Sequence, residues 1–145
     1  MTDSRVAGRI LGLDVGDKWI GVAMSDPSGT LASPLTRIAA IDTEATVEAI
    51  RQLVCQYEVR CIVAGMPYSL DGSLGQQANR VQDFVQTLSQ RLEVRIETWD
   101  ERFSTVAAQQ RMAEAEMRKE RRREQIDAVA AALILQEYLD DMRSS

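Results

Sequence analysis

Residues 10–24 have the sequence ILGLDVGDKWIGVAM, and this stretch decides the fold. It contains two short apolar runs, Ile10 to Val15 and Trp19 to Met24, which are joined by Gly16-Asp17-Lys18. Two runs of strand-forming residues separated by a short turn predict a β-hairpin. A third such run, Leu31 to Ile38, follows a turn-like segment with proline and glycine. The sequence therefore predicts a three-stranded antiparallel meander near the N-terminus.

After the meander, the hydrophobic spacing predicts alternating helices and strands. The predicted helices are Thr43–Tyr57, Leu74–Leu92, Phe103–Met117 and Ile126–Leu139, and the predicted strands are Cys61–Ala64 and Val94–Trp99. Short links between strand, helix and strand imply parallel, right-handed crossovers. We therefore predict one α/β domain, residues 1–145, with a mixed five-stranded sheet flanked by helices. This order of elements suits a ribonuclease H-like architecture.

The composition limits the chemistry. With 145 residues, of which 45% are hydrophobic and 27% charged, the chain can form one self-sufficient globular core. It contains no histidine, which excludes histidine-based triads, histidine general bases and the usual zinc sites. The formal net charge of -5 argues against nonspecific coating of nucleic acid. A nucleic-acid partner would need a local basic patch.

The cysteines and apolar runs indicate a reduced, cytoplasmic protein. Cys55 and Cys61 form neither a disulfide framework nor a metal-ligand spacing, so we expect both to be reduced, buried thiols. The longest apolar run, Ala128 to Leu135, is too short to span a bilayer, and no signal sequence precedes it. We expect no membrane association.

Four acidic residues occupy positions where apolar or ligand-facing side chains are predicted. Asp14 interrupts an apolar strand on the face that carries Gly12, and Asp127 begins an alanine-rich helix face. Asp100 and Glu101 directly follow a parallel strand, where open α/β sheets bind ligands. Each also has a structural alternative: an acid flanking a turn, an acid stabilised by the helix dipole, or a helix cap.

Acids gathered from three separated segments favour a hard divalent cation, Mg²⁺ or Mn²⁺, over zinc. Two such ions can bind the attacking water and the leaving oxygen of a phosphodiester. The sequence therefore predicts metal-dependent hydrolysis of a nucleic-acid backbone.

Several motifs, taken in order, resemble those of the RuvX/YqgF family of Holliday junction resolvase-like proteins and pre-16S ribosomal RNA nucleases. The resemblance covers nearly the whole chain. Its carriers are Gly12-Leu13-Asp14-Val15-Gly16 with Lys18, Ile20-Gly21-Val22-Ala23, Ser25-Asp26, Gly65-Met66-Pro67, Asp71-Gly72-Ser73, Asp100-Glu101-Arg102, Asp127-Ala128-Val129-Ala130-Ala131 and Ile134-Leu135-Gln136.

The resemblance implies a ribonuclease H-like fold, Mg²⁺-dependent cleavage and a role in trimming the 5′ end of the small-subunit ribosomal RNA precursor. By this resemblance, the catalytic acids correspond to Asp14, the pair Asp100 and Glu101, and Asp127. Of these, Asp14, Glu101 and Asp127 are the implied metal ligands. Trp19 departs from the family pattern, which usually has a basic residue there. This change puts one phosphate contact in doubt and suggests base stacking instead.

Basic residues near the acids are candidates for substrate binding. Lys18 and Arg102 each lie beside a candidate acid, and Ser73 precedes a predicted helix, where it is either an anion site or an ordinary N-cap. The densest basic run includes Arg121, Arg122 and Arg123. It is either a contact to phosphates or a solvated charged segment.

Three alternatives remain open from the sequence. The substrate could be branched DNA, cut by a homodimer, in place of ribosomal RNA, cut by a monomer. The chain could be a ribosome-associated binding factor that has lost catalysis. Its first motif is also similar to the phosphate loop of the actin and sugar-kinase superfamily, although the chain is too short for the two lobes of that fold.

Overall fold

The computed structural model describes residues 8–67, 75–101 and 120–144. Five strands form one sheet: β1 (Arg9–Val15), β2 (Trp19–Ser25), β3 (Ala32–Ala39), β4 (Val59–Met66) and β5 (Arg95–Asp100). The described helices are α1 (Thr43–Gln56), α2 (Gln76–Arg91) and α3 (Glu120–Ser144). The strand order is β3-β2-β1-β4-β5. The first three strands are antiparallel, whereas β4 and β5 run parallel to β1, which confirms the predicted fold class.

Element boundaries differ from the predictions mainly in β4 and α3. Strand β4 begins at Val59 and continues to Met66, because its pairing with β1 and β5 extends beyond the short apolar run. Helix α3 begins at Glu120, six residues before the predicted start, and includes the basic residues 121–123. Arginine and glutamate are good helix formers, so charge alone does not end a helix. The predicted helix Phe103–Met117 lies outside the described residues.

Helix α1 begins where the sequence predicted. The side chain of Asp42 accepts a hydrogen bond from the backbone N–H of Glu44, so Asp42 is the N-cap. Cys55, near the end of α1, is exposed, and the prediction that it is buried is wrong. The apolar stripe of α1 is carried by residues such as Val47 and Ile50, and Cys55 lies off that stripe. Cys61 is buried, as predicted.

The two faces of the sheet are packed differently. Helices α1 and α2 cover one face through a cluster of large aliphatic residues that includes Leu11, Leu13, Val22, Ile50, Ile62 and Leu88. Helix α3 covers the other face through a smaller cluster that includes Ala23, Cys61, Val63, Ala131 and Leu135. Within the described residues, no helix combines the length and hydrophobicity needed to cross a bilayer.

Close approach of α3 depends on a glycine in β1. A Cβ atom on Gly12 would lie 2.8 Å from the Cβ of Leu135 and 3.1 Å from the carbonyl oxygen of Ala131. Because side chains alternate along a strand, Asp14 lies on the same face as Gly12. The packing of α3 on this face therefore positions the helix beside Asp14.

Candidate active site

Asp14 lies one residue before the end of β1, on the face that α3 covers. Its side chain is partly buried, and its cross-strand neighbour is Gly21. Burial first, and the negative charge of Asp127 second, raise the pKa of the Asp14 carboxyl to about 6. An acid with such surroundings favours a proton or a cation. Perturbed carboxyl pKa values of this kind cluster at metal-binding and catalytic sites.

Gly21 brings Asp127 to Asp14. A Cβ atom on Gly21 would overlap the carbonyl oxygen of Asp127, so any larger residue would push the first turns of α3 away from the sheet. Gly21 is also the direct cross-strand partner of Asp14. The missing side chain therefore creates the space in which the helix backbone lies against the sheet and places Asp127 close to Asp14.

Glu101 enters the same region from the end of β5. Its backbone N–H donates a 3.1 Å hydrogen bond to the carbonyl oxygen of Met66, which extends the pairing of β4 and β5. A Cβ atom on Gly65 would lie 2.6 Å from Oε2 of Glu101, so Glu101 extends over Gly65. Burial first, followed by the negative charges of Asp14, Glu137 and Asp100, raises the pKa of the Glu101 carboxyl to about 7.

Three of the predicted acids, Asp14, Asp127 and Glu101, are therefore brought to one end of one sheet face. Asp100 follows Trp99 and pairs across the strands with Met66, so strand alternation points its side chain to the opposite face. Asp14 interacts electrostatically with both Asp127 and Glu101. Over the described ranges, however, no three acidic or thiol side chains are close enough together to bind a single metal ion as they stand. The donors are all carboxylate oxygens and are partly buried beside like charge, so the set fits a hard divalent cation chemically. Binding would require the carboxylates to draw together.

Arg37, on β3, is a residue that the sequence analysis missed. Its Nη1 atom lies 3.5 Å from Oδ2 of Asp127, and its guanidinium lies 3.6 Å from the centroid of the Trp19 ring. Arg37 pairs across the strands with Gly21, which in turn pairs with Asp14, so the three positions form one row across the meander. That row requires the register of both strand pairs.

Glu137, on α3, is a second missed residue. It accepts a 3.2 Å hydrogen bond from the indole Nε1 of Trp99, and its charge is one cause of the raised pKa of Glu101. Glu137 follows Asp127 by ten residues, a spacing that does not put the two on the same side of a helix. No sequence signal connects Glu137 with the candidate acids.

The candidate substrate-binding residues are described only in part. Lys18 is exposed in the turn between β1 and β2, next to Trp19 and at the same end of the sheet as Asp14. The residues 121–123 lie in the first turn of α3, upstream of Asp127, but their side chains are outside the described part of the structure. Ser73 and Arg102 also lie outside the described residues, so the substrate-binding role of each stays a prediction.

Comparisons of sequence identify relatives over nearly the whole chain. Residues 8–141 match the model of a family described as "RuvX: Holliday junction resolvase". A protein of Thermoanaerobacter pseudethanolicus named "Putative pre-16S rRNA nuclease" is 46% identical over 137 residues, which is 94% of this chain and 99% of the relative. A Roseiflexus protein of the same name is 44% identical over 136 residues, covering 94% of this chain and 96% of the relative.

Comparisons of structure identify the same fold in distant proteins. RuvC of Thermus thermophilus in complex with a Holliday junction superposes with a TM-score of 0.57 at 9% identity, covering 95% of this chain and 97% of that one. The fowlpox virus resolvase bound to Holliday junction DNA superposes with a TM-score of 0.52 at 11% identity, covering 92% and 98%. These likenesses establish the ribonuclease H-like fold.

Proposed function

The chain belongs to the RuvX family, and on this basis we propose that it is a Mg²⁺-dependent nuclease that matures the 5′ end of pre-16S ribosomal RNA. Nucleases and resolvases both hydrolyse phosphodiester bonds, and this chain is a hydrolase of that class. We propose four further properties: the RNA substrate, the Mg²⁺ ion, the site residues and a cytoplasmic location. RNA is favoured over branched DNA because relatives at 42–46% identity are named for pre-16S rRNA.

One observation carries the proposal. Asp14 and Glu101 are partly buried acids whose pKa values are raised to about 6 and about 7, and Asp14 interacts with both Glu101 and Asp127. A purely structural acid usually has a lowered pKa, because hydrogen bonds and cations stabilise its charge. Acids held together with raised pKa values indicate a site that uses their charge.

The three acids would bind Mg²⁺ or Mn²⁺ through carboxylate oxygens, and Asp100 would add negative charge next to Glu101. The bound cation would supply the positive charge that activates water and stabilises the leaving oxygen. The chain itself provides the remaining parts. Gly21 and Gly65 leave the space that brings Asp127 and Glu101 to Asp14. Lys18, exposed at the same end of the sheet, supplies a cation for substrate phosphates.

Cleavage of branched DNA is a second candidate, favoured by the description of the matching family. A resolvase cuts two strands symmetrically and generally acts as a two-fold dimer. A monomer in solution therefore supports the RNA substrate, whereas a homodimer supports the junction.

The test is cleavage of a labelled pre-16S rRNA fragment beside a labelled four-way DNA junction, with Mg²⁺ or Mn²⁺. Asp14→Asn should abolish cleavage. Asp140→Asn serves as a matched control, because Asp140 is an exposed acid on α3 that pairs with Arg143. RNA cleavage that is lost only in Asp14→Asn supports the proposal. Preferential junction cleavage would assign the chain as a resolvase, and binding of RNA without cleavage of either substrate would contradict a nuclease.

A further inference from the structure

We propose that Arg37 is a positioning residue for Asp127 and that Trp19 holds Arg37 in the required orientation. The inference rests on the proposed function, because it assigns a role at the same site. Arg37 lies on β3, whereas Trp19 begins β2 and Asp127 lies on α3, so the contact joins three elements. The contact forms only when β2 and β3 pair in the observed register and α3 packs at its observed position on the sheet.

Trp19 lies directly against the Arg37 guanidinium. The central carbon of the guanidinium lies 3.6 Å from the centroid of the indole ring, which is close contact with the ring face. A cation is attracted to the face of an indole, and tryptophan is the strongest of the aromatic partners. One face of Trp19 is therefore already covered by Arg37. Stacking of a base on that same face would require Arg37 to leave.

Arg37 engages one oxygen of Asp127. Its Nη1 donates to Oδ2 at 3.5 Å, and Oδ1 makes no hydrogen bond within the described residues. The two side chains are 23% and 28% exposed, so water screens the pair less than it would a fully exposed pair. The long distance makes the pair a weak source of stability. It nevertheless ties one carboxylate oxygen of Asp127 to β3.

An outer partner of this kind acts through the ligand that it orients. Carboxylates that bind metal ions are themselves held by hydrogen bonds from surrounding groups, and loss of such a partner typically lowers activity or metal affinity by 10- to 100-fold. Arg37 meets this description because it contacts a candidate ligand and is itself held by Trp19. We therefore expect it to affect the rate of cleavage more than the binding of RNA.

The kinetic test separates positioning from direct contact with the substrate. Arg37→Ala should lower kcat for RNA cleavage about tenfold and change KM less than about twofold. Arg37→Lys should not restore kcat, because an ammonium group cannot stack as a flat guanidinium does. Trp19→Phe, which keeps an aromatic face, should retain more activity than Trp19→Ala. Arg51→Ala, which removes a partly exposed arginine that pairs with Glu48 on α1, is the matched control.

A raised KM with unchanged kcat and a flatter salt dependence would overturn the proposal, since those changes indicate that Arg37 binds a substrate phosphate. Full activity of Arg37→Lys would also overturn it. In that case a positive charge alone would be sufficient.

A spectroscopic test does not depend on catalysis. The chain has two tryptophans, Trp19 and Trp99, and both can be labelled with 5-fluorotryptophan. Asp127→Asn should move the ¹⁹F resonance of Trp19, because Arg37 loses its charged partner and shifts on the ring. Asp140→Asn, on the same helix, should leave it in place. A Trp19 resonance unmoved by Asp127→Asn overturns the proposal. A resonance that moves, together with no cleavage by the wild-type protein, confirms the contact between the three residues and overturns the proposed function.

Discussion

The two faces of the sheet show how one set of strands serves both stability and chemistry. The face under α1 and α2 is filled by large aliphatic side chains, several of them fully buried. The face under α3 has glycine at positions 12, 21 and 65, and these let the helix and Glu101 approach the strand backbone. The adjacent residues Leu13 and Asp14 point to opposite faces: Leu13 packs in the apolar core, whereas Asp14 belongs to the candidate site.

This difference shows where the protein gives up stability for its site. Glycine and alanine bury less apolar surface than leucine or isoleucine, so the α3 face contributes less hydrophobic stabilisation at its acidic end. Partly buried acids beside like charge reduce stability further. We infer that the α1 and α2 face stabilises the sheet enough to tolerate the site on the opposite face.

The largest expected effect on stability comes from truncating the aliphatic face. Leu13→Ala removes a fully buried side chain from the main core and should lower the free energy of unfolding by about 4 kcal/mol. Urea denaturation of the metal-free protein measures this change. The neighbouring Asp14→Asn should cost no stability at pH 7. Equal losses in the two variants would contradict the division between the faces.

The next effect tests the close approach of α3. Gly21→Ala places a methyl group against the backbone carbonyl of Asp127, which cannot rotate away as a side chain can. We expect a loss of about 3 kcal/mol in the free energy of unfolding, together with loss of cleavage. Gly65→Ala is the comparison variant, because its new methyl group meets the side-chain ends of Glu101 and Ile134. A stability loss at Gly65→Ala as large as that at Gly21→Ala would argue against this reasoning.

The smallest of the three effects is a pH dependence of the metal-free protein. The pKa of Asp14 is raised from 3.8 to about 6, so the folded state binds its proton more tightly than the unfolded state does. Protonation of Asp14 therefore contributes to the free energy of unfolding. This contribution is fully present below about pH 4 and is lost as the pH rises through about 6. In the wild-type protein the free energy of unfolding should therefore decline between pH 4 and pH 8. We expect this decline to be about 2 kcal/mol smaller in Asp14→Asn, a value that allows for the partial exposure of Asp14. Denaturation curves of both proteins between pH 4 and pH 8 check it, and parallel declines would contradict it.

The strands, the antiparallel meander with two parallel strands, and three of the candidate acids could be predicted from local patterns. The hairpin turn, the apolar runs and the change in spacing after Ile38 are visible without any knowledge of distant contacts. Asp14 was identifiable because a charge in a buried strand must have a partner. Asp127 was identifiable because an acid began an otherwise apolar helix face.

The contacts that complete the site depend on tertiary packing. The row from Asp14 through Gly21 to Arg37 requires the register of two strand pairs, and the overlap at Gly21 requires the crossing position of α3. Neither is encoded in the spacing of any one segment. The early start of α3 was missed for a different reason, since charged residues interrupt an apolar pattern without interrupting a helix.

The central claim is that Asp14, Glu101 and Asp127 together bind a divalent cation, and calorimetric titration with Mn²⁺ tests it most directly. The wild-type protein and the variants Asp14→Asn, Glu101→Gln, Asp127→Asn and Glu97→Gln should be titrated at the same pH. Glu97 is the control, because it pairs with Arg95 and Tyr138 away from the three acids. We predict binding by the wild-type protein and by Glu97→Gln, with binding weakened at least tenfold in each of the other three. Equal affinity in all five proteins would contradict the claim.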